Sequence, residues 1–315
     1  MNDKKAYIIM SISTWFWAGA FIAGKYCAPY IPPLTLVFLR FLIAAIVLKP
    51  VLMIFPLEEK YKLQKKDFRI QVLTGIIGMF GYHVFFFMSL HHTTAINASI
   101  IAAVNPVMTV VFGALLFRQF ITRPMLAGII LSLIGVLMTI TGMDLEVITS
   151  LSFNRGDILM ITAMTMWSLY IVVSKKTDVP PIQFTYNNFI IATVLSFPLF
   201  LWENPLSWLS GAPLAAWVAV VYMAVCPSVF SYCGIQMSIK TIGSQRSAIF
   251  FNLVPACSML LAVLILGEVF EIIKLATMLI IIAGVVICQY FGARAQRAEE
   301  LAEALKVIEG DKYDK

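Results

Sequence analysis

Acidic side chains are missing from the interior of every long apolar run in this chain of 315 residues. All 17 Asp and Glu lie at run ends, in connecting segments or near the C-terminus. A proton relay built from intramembrane carboxylates is therefore not available to it. Histidine is scarce as well, at 3 residues, and only His83 falls within a run. His91-His92 form a pair in an outer loop without a third ligand, so zinc is not expected, nor any other metal or cofactor. The 5 cysteines, Cys27, Cys226, Cys233, Cys257 and Cys288, show no CxxC spacing and read as free, buried thiols. With no HExxH, no GxSxG and no clustered carboxylates in the runs, the chain is not expected to be an enzyme. Charge is low overall, at 13% of residues, where soluble proteins carry about 25%. A water-soluble globule is excluded.

What fills the chain instead is apolar: 60% hydrophobic residues and a mean hydropathy of +0.89. Crossing lipid takes roughly 20 residues of helix. Runs of that kind fall near 7–26, 34–55, 71–90, 94–117, 124–142, 157–174, 183–202, 214–237, 244–266 and 272–291. They predict an all-α integral membrane fold of ten transmembrane helices. Residues 1–26 imitate a secretory leader, with Lys4-Lys5 ahead of an apolar run. The run outlasts a leader's apolar region, however, and its counterpart at 157–174 is internal, so it reads as a first span.

A net charge of +6 can point to nucleic acid, yet its placement answers a different question. With the N-terminus inside, one face collects Lys4, Lys5, Lys49, Lys65, Lys66, Arg69, Arg123, Lys175 and Lys176, while the other has only Lys25, Arg155 and Lys274. That asymmetry predicts a multi-pass protein of the cell inner (plasma) membrane with both termini cytoplasmic. The lipid bilayer is its partner and nucleic acid is not.

The chain also says the same thing twice, at an offset of about 149 residues. Pro32-Pro33 followed by an apolar helix recurs as Pro180-Pro181; Trp17 and Lys25 recur as Trp167 and Lys175; Asn105-Pro106 recurs as Val254-Pro255; Gly135-Val136 recurs as Gly284-Val285. An odd number of crossings per copy makes the copies antiparallel, so the expected architecture is two inverted five-helix repeats around a central cavity. Residues 1–142 form repeat one, 143–156 an outer linker, 157–291 repeat two and 292–315 a cytoplasmic tail. Short connections predict that sequential helices are antiparallel neighbours. The mixed-charge inner segment Pro56 to Phe68, with Glu58, Glu59, Lys60, Lys62 and Asp67, reads as a solvated or headgroup-facing stretch. In the tail, Leu301, Leu305 and Ile308 recur at helical spacing and predict a short amphipathic helix. An internal two-fold supplies a site within one chain, so a monomer is sufficient.

Pro106 and Pro255 each interrupt a span near its middle, which makes them either hinges beside a substrate site or plain kinks. Asn105 can cap the freed backbone or face the cavity. Arg40 lies inside the second span, where it can hold a substrate carboxylate, snorkel outward or fasten helix ends. Its counterpart in the second copy is Asn188. His83, beside Tyr82 and near Phe85, Phe86 and Phe87, is either a packing residue or the proton-switching group of a proton-coupled carrier. Aromatic and amide groups placed to face a cavity are Trp17, Tyr82, Trp167, Tyr170, Tyr186, Asn187, Asn188, Tyr232 and Gln236, a set suited to an amphipathic or aromatic solute. Trp202, Trp208 and Trp217 fall near the outer interface and read as belt residues.

With its ten spans and two copies, the chain resembles the drug/metabolite transporter superfamily, and within it the EamA-type transporters, over about 7–291. The marks are Trp17-Ala18-Gly19-Ala20-Phe21, Arg40-Phe41, Asn105-Pro106, Val254-Pro255 and Leu266-Gly267-Glu268. In the first copy Phe117-Arg118-Gln119 stands where the family often has Gly-Glu, so any role of that acid is left to Glu268. The resemblance implies a secondary active or facilitative carrier of small organic metabolites, an exporter of amino acids or related amphipathic solutes, working by alternating access. Carriers of sugars, nucleotides and cationic drugs share the superfamily and stand as the alternative. A channel would show pore-lining rings or a carbonyl filter, which this sequence does not.

Overall fold

The computed structural model describes residues 2–54, 64–118, 120–144, 153–209, 211–242 and 250–313, and every regular element among them is helical. Nine helices among these residues are long and apolar enough to cross a membrane, and Val254–Leu266 is a shorter apolar helix in the place of the expected ninth span. The first two spans are α1 (Asp3–Cys27) and α2 (Pro33–Ile54). The third is composite: α3 (Lys65–Thr74), a π-helical turn (Gly75–Tyr82) and α4 (His83–His92). The fourth is broken into α5 (Ala95–Ala102) and α6 (Asn105–Phe117), and the fifth is α7 (Arg123–Thr141). The second half runs α8 (Arg155–Ser174), α9 (Pro181–Trp202), α10 (Leu214–Met223), a π-turn (Ala224–Phe230), α11 (Ser231–Ile242), α12 (Val254–Leu261) with a π-helical end (Ala262–Leu266), and α13 (Ile272–Tyr313).

Several boundaries differ from expectation. The third span starts earlier than residue 71 because Asp67 accepts a bond from the Gln64 amide at 3.1 Å and caps the first turn. Asp67 is buried and also accepts from the Thr177 hydroxyl at 2.9 Å, so it tethers two connections rather than facing solvent. Glu58, Glu59, Lys60 and Lys62 lie outside the described residues. His91 and His92 are in the last turn of α4, not in a loop. The tail forms no separate helix: α13 runs through Gly292 without a break. A lone glycine costs a helix only about 1 kcal/mol, and the Ala, Arg, Gln and Glu around it are helix formers. The side chains of Leu301, Leu305 and Ile308 lie outside the description.

The main helix contacts run between the two halves rather than between sequential helices. Helix α7 packs along α13, α2 along α9, α1 against α11 and α12, and α8 against α4 and α6. Spans this apolar can pack on any face, so loop length does not choose neighbours; small residues and polar groups do. At the α7–α13 contact, a Cβ on Gly128 would sit 2.6 Å from the Gly284 carbonyl oxygen, and one on Gly284 would sit 2.5 Å from that of Gly128. The same contact carries a bond from the Ser132 hydroxyl to the Ile281 carbonyl at 3.1 Å. The Gly-Val motif of the second copy thus marks a close backbone approach of two helices. Outward faces carry large apolar side chains such as Leu133, Leu264 and Leu279, as lipid requires. Trp202 is exposed on that surface and Trp208 packs on Trp217 at 6.1 Å between ring centres. All five cysteines are free, Cys27 and Cys288 being buried and the other three half-buried.

Candidate functional site

The two interrupted spans meet in the middle of the bundle. In the first, the helix lapses at Ala103-Val104; the Val104 amide turns back to the Ile101 carbonyl at 3.1 Å and the Met108 amide bonds Val104 at 3.1 Å. In the second it lapses at Asn252-Leu253; the Leu253 amide bonds the Phe250 carbonyl at 3.2 Å and the Cys257 amide bonds Leu253 at 3.0 Å. The same four-residue pattern recurs at the same register, each time just ahead of Pro106 or Pro255. Proline is favoured at the start of a helix and cannot donate to the turn before it, so each proline restarts its helix after a lapse.

Around these breaks lies a cavity of about 390 Å³, of the size that holds a small organic molecule. Its apolar wall includes Trp17, Phe21, Tyr82, Phe86, Trp167 and Phe251. Its polar groups are Arg40, Ser99, Asn105, Thr109, Asn252 and Gln289, with both prolines also at the surface. Trp17 stacks on Phe251 at 4.7 Å and Trp167 leans on Tyr82 at 4.9 Å. Asn105 accepts from the Thr109 hydroxyl at 3.4 Å through its side-chain oxygen, and its Nδ2 is buried with no partner among the described residues. Asn252 Nδ2 donates to Gln289 Oε1 at 3.3 Å.

Arg40 is 4% exposed and does not snorkel. Its Nε donates to Ser228 Oγ at 2.9 Å, and Ser228 Oγ in turn donates to the Met223 carbonyl at 2.9 Å across the π-turn. The guanidinium lies 5.9 Å from the ring centres of Phe41 and Phe87, and no carboxylate pairs with it among the described residues.

Trp17, Arg40, Tyr82, Asn105, Pro106, Trp167 and Pro255 therefore share one cavity, and six expected residues do not line it. His83 is buried behind the wall: its ring sits edge-on to Phe41 at 4.6 Å and Tyr82 at 4.4 Å, with Nδ1 2.9 Å from the Met79 carbonyl. Tyr232 lies behind the two tryptophans, 6.3 Å from Trp17 and 6.2 Å from Trp167. Asn188 is buried and accepts from the Thr74 hydroxyl at 3.1 Å, while Asn187 donates to Gln71 at 3.1 Å. Tyr186 packs against the core, and Tyr170 stacks on Trp167 at 4.8 Å. The Gln236 side chain is outside the described residues.

Polar ties join the helix ends at one end of the bundle. Lys25 Nζ donates to the carbonyls of Leu90 at 2.9 Å and Thr93 at 2.7 Å, and the Thr93 hydroxyl donates to Asp157 at 2.5 Å. Glu268 accepts from the amides of Ala95 at 2.7 Å and Ile96 at 3.0 Å, covering the start of α5. Glu203 does the same for α2, accepting from the Leu34 amide at 3.1 Å and the Thr35 amide at 2.7 Å. A carboxylate at a helix start satisfies amides that have no partner within the helix and meets the positive end of its dipole. In α1 the cavity wall ends at Phe21, about one turn short of Lys25.

The sequence model of the EamA-like transporter family matches residues 4–141 and, a second time, 154–289. This chain belongs to that family. It is 30% identical over 287 residues to the uncharacterized transporter YyaM of Bacillus subtilis (strain 168), covering 90% of this chain and 93% of that one. An uncharacterized transporter of Clostridium kluyveri is 26% identical over 307 residues, covering 95% and 97%. A solved crystal structure of 20% identity superposes with a TM-score of 0.65 over 93% of this chain and 100% of its own, a likeness of fold.

Against the EamA pattern, the Gly267-Glu268 motif has a geometric basis here. Gly267 has a φ of 65°, a left-handed conformation that ends the helix and swings Glu268 toward α5. In the first copy the corresponding turn survives at Arg118, with a φ of 54° and no glycine. Residues that sequence reasoning passed over are Ser99, Thr109, Asn252 and Gln289. Asn252 had a signal: it stands in the lapse ahead of Pro255, at the register of Ala103 ahead of Pro106.

Proposed function

We propose that this EamA-family membrane protein carries a small organic solute through its central cavity by alternating access, exporting amino acids or related amphipathic solutes. The observation that supports this most is the matched pair of helix breaks lining one cavity. Broken spans at equivalent positions of two copies put flexible backbone where a solute is held, and they let each half-helix move without unfolding the span. The cavity wall, aromatic with a few neutral polar groups and one cation, suits an amphipathic solute.

In this reading the two copies are inverted, both termini are cytoplasmic and the protein lies in the cell inner membrane as a sufficient monomer. The helix contacts support it: exchanging the copies converts the α1–α11 contact into α8–α4 and the α1–α12 contact into α8–α6, as a two-fold between halves would. The Lys25, Asp157, Glu203 and Glu268 ties then belong to a closed outer end. His83, packed behind Tyr82, is assigned no proton-carrying role.

Solute counterflow in proteoliposomes tests the carrier reading. A panel of amino acids, sugars and organic cations is expected to include solutes whose labelled form exchanges for unlabelled. No exchange by any of them, from protein that remains monodisperse, overturns the reading. Cysteine labelling tests the orientation: in a Cys-free background, Leu63→Cys should react from inside and Thr149→Cys from outside.

A further inference from the structure

We propose that Arg40 is a carboxylate receptor aimed by Ser228, and that the solute is an organic acid of net charge −1 with an aromatic or branched apolar body rather than a zwitterion. The proposal rests on the reading of the central cavity as the transport site, and within that reading it selects the related amphipathic solutes, as organic acids, over the amino acids themselves.

A guanidinium has five N–H donors and no acceptor. Among the described residues only one of those donors, on Nε, meets a protein acceptor, although the side chain is 4% exposed. The two rings at 5.9 Å offer π-faces but no hydrogen-bond acceptor for the remaining donors. A buried cation left in this condition is costly, and an anion seated beside it removes the cost. The position of Ser228 decides which edge is offered. Its single hydroxyl hydrogen is committed to the Met223 carbonyl, so its oxygen can only accept, and it accepts from Nε. That occupies the side-on edge and leaves the end-on pair of Nη groups, the fork that binds a carboxylate through two parallel bonds.

The rest of the wall argues for net charge −1. Among the described residues no carboxylate lines the cavity, and its other polar groups, Ser99, Asn105, Thr109, Asn252 and Gln289, are all neutral. An α-ammonium would meet no opposite charge and would share the cavity with Arg40. The apolar body is received by Trp17, Tyr82 and Trp167. The counterpart of Arg40 in the second copy offers no second receptor, because Asn188 is neutral and buried against Thr74.

The test is binding to the full-length protein in nanodiscs, followed by the fluorescence of Trp17 and Trp167, with four probes sharing one phenyl body: 3-phenylpropionate, 3-phenylpropanamide, phenylalanine and 2-phenylethylamine. The acid is expected to bind about tenfold or more tighter than the amide, tighter than phenylalanine, and far tighter than the amine. Arg40→Gln should bring the acid-to-amide ratio close to one, with Arg40→Lys restoring only part of it. Ser228→Ala should lower that ratio severalfold while amide binding stays unchanged, which a purely structural serine would not do. Equal binding of acid and amide by the unaltered protein, tighter binding of phenylalanine than of the acid, or no saturable acid binding overturns the proposal; an unchanged ratio in Ser228→Ala overturns the role of Ser228. If the Arg40 variants do not fold, the four-probe comparison on the unaltered protein decides. A protein that exchanges solutes in counterflow without preferring the acid loses this proposal and keeps the carrier reading.

Discussion

The two copies repeat their backbone and divide their chemistry. Both third-position spans of the halves contain a π-turn, Gly75–Tyr82 in one and Ala224–Phe230 in the other, and both are met by the second span of the opposite half. Arg40-Phe41 corresponds to Asn188-Phe189. Phe41 packs edge-on to His83 at 4.6 Å, and Phe189 packs edge-on to Tyr232 at 6.0 Å. The polar residue ahead of each phenylalanine reaches across the halves, Arg40 to Ser228 and Asn188 to Thr74. Only Arg40 also reaches the cavity. A π-turn closes its hydrogen bonds over five residues where an α-turn closes them over four. Ser228 stands within its π-turn, whereas Thr74 ends α3 just ahead of the other, and equivalent positions thus present a charge to the cavity in one half and tie a neutral amide into the packing in the other.

The comparison breaks most sharply at Arg40. Replacing it by its counterpart, Arg40→Asn, should raise the half-saturating concentration of a carboxylate solute in counterflow by about tenfold to a hundredfold, because a charge-assisted bond contributes roughly 1.5–3 kcal/mol. An effect equal in size on uncharged analogues would make Arg40 a fastener between halves. Next in size are the two prolines. On the carrier reading, Pro106→Ala and Pro255→Ala should each slow exchange severalfold at unchanged expression, since alanine lets the helix run through the lapse and stiffens the proposed joint. Unchanged rates in both variants would reduce the matched breaks to passive kinks.

Asn188→Ala should behave differently from Arg40→Asn. Loss of the Thr74 bond is expected to lower stability by about 1 kcal/mol, seen as a lower melting temperature in detergent, with solute selectivity untouched. A change in selectivity would make the site symmetric after all. The smallest effect concerns the left-handed turns. Arg118→Gly should raise stability by less than about 1 kcal/mol, because relief of the strained φ is partly offset by the greater freedom of glycine in the unfolded chain. Lower stability would show that the Arg118 side chain contributes more than its backbone costs.

The spans, the repeat and the two proline breaks were legible because they rest on local chemistry. An apolar run long enough for lipid has few folds open to it, and a proline interrupts its own helix whatever surrounds it. Long-range pairing was not legible in the same way. Nothing near Arg40 in sequence points to Ser228, which is 188 residues away, and nothing near Glu268 announces that it covers the start of α5. His83 looked like a site residue because it is the one histidine within the apolar run read from the sequence; Phe41, Phe87 and Tyr82, packed around it, hide it.

By itself, then, the sequence determined the membrane setting, the approximate places of the apolar spans, the places where two of them lapse and the left-handed stop at Gly267, all set within a few residues by hydropathy and backbone sterics. Tertiary structure alone decided which polar groups face the cavity and which are tied off. Helices that are apolar all round carry no stripe to say which way they turn, and their rotation follows from close approaches such as Gly128 to Gly284 and from bonds made across the halves.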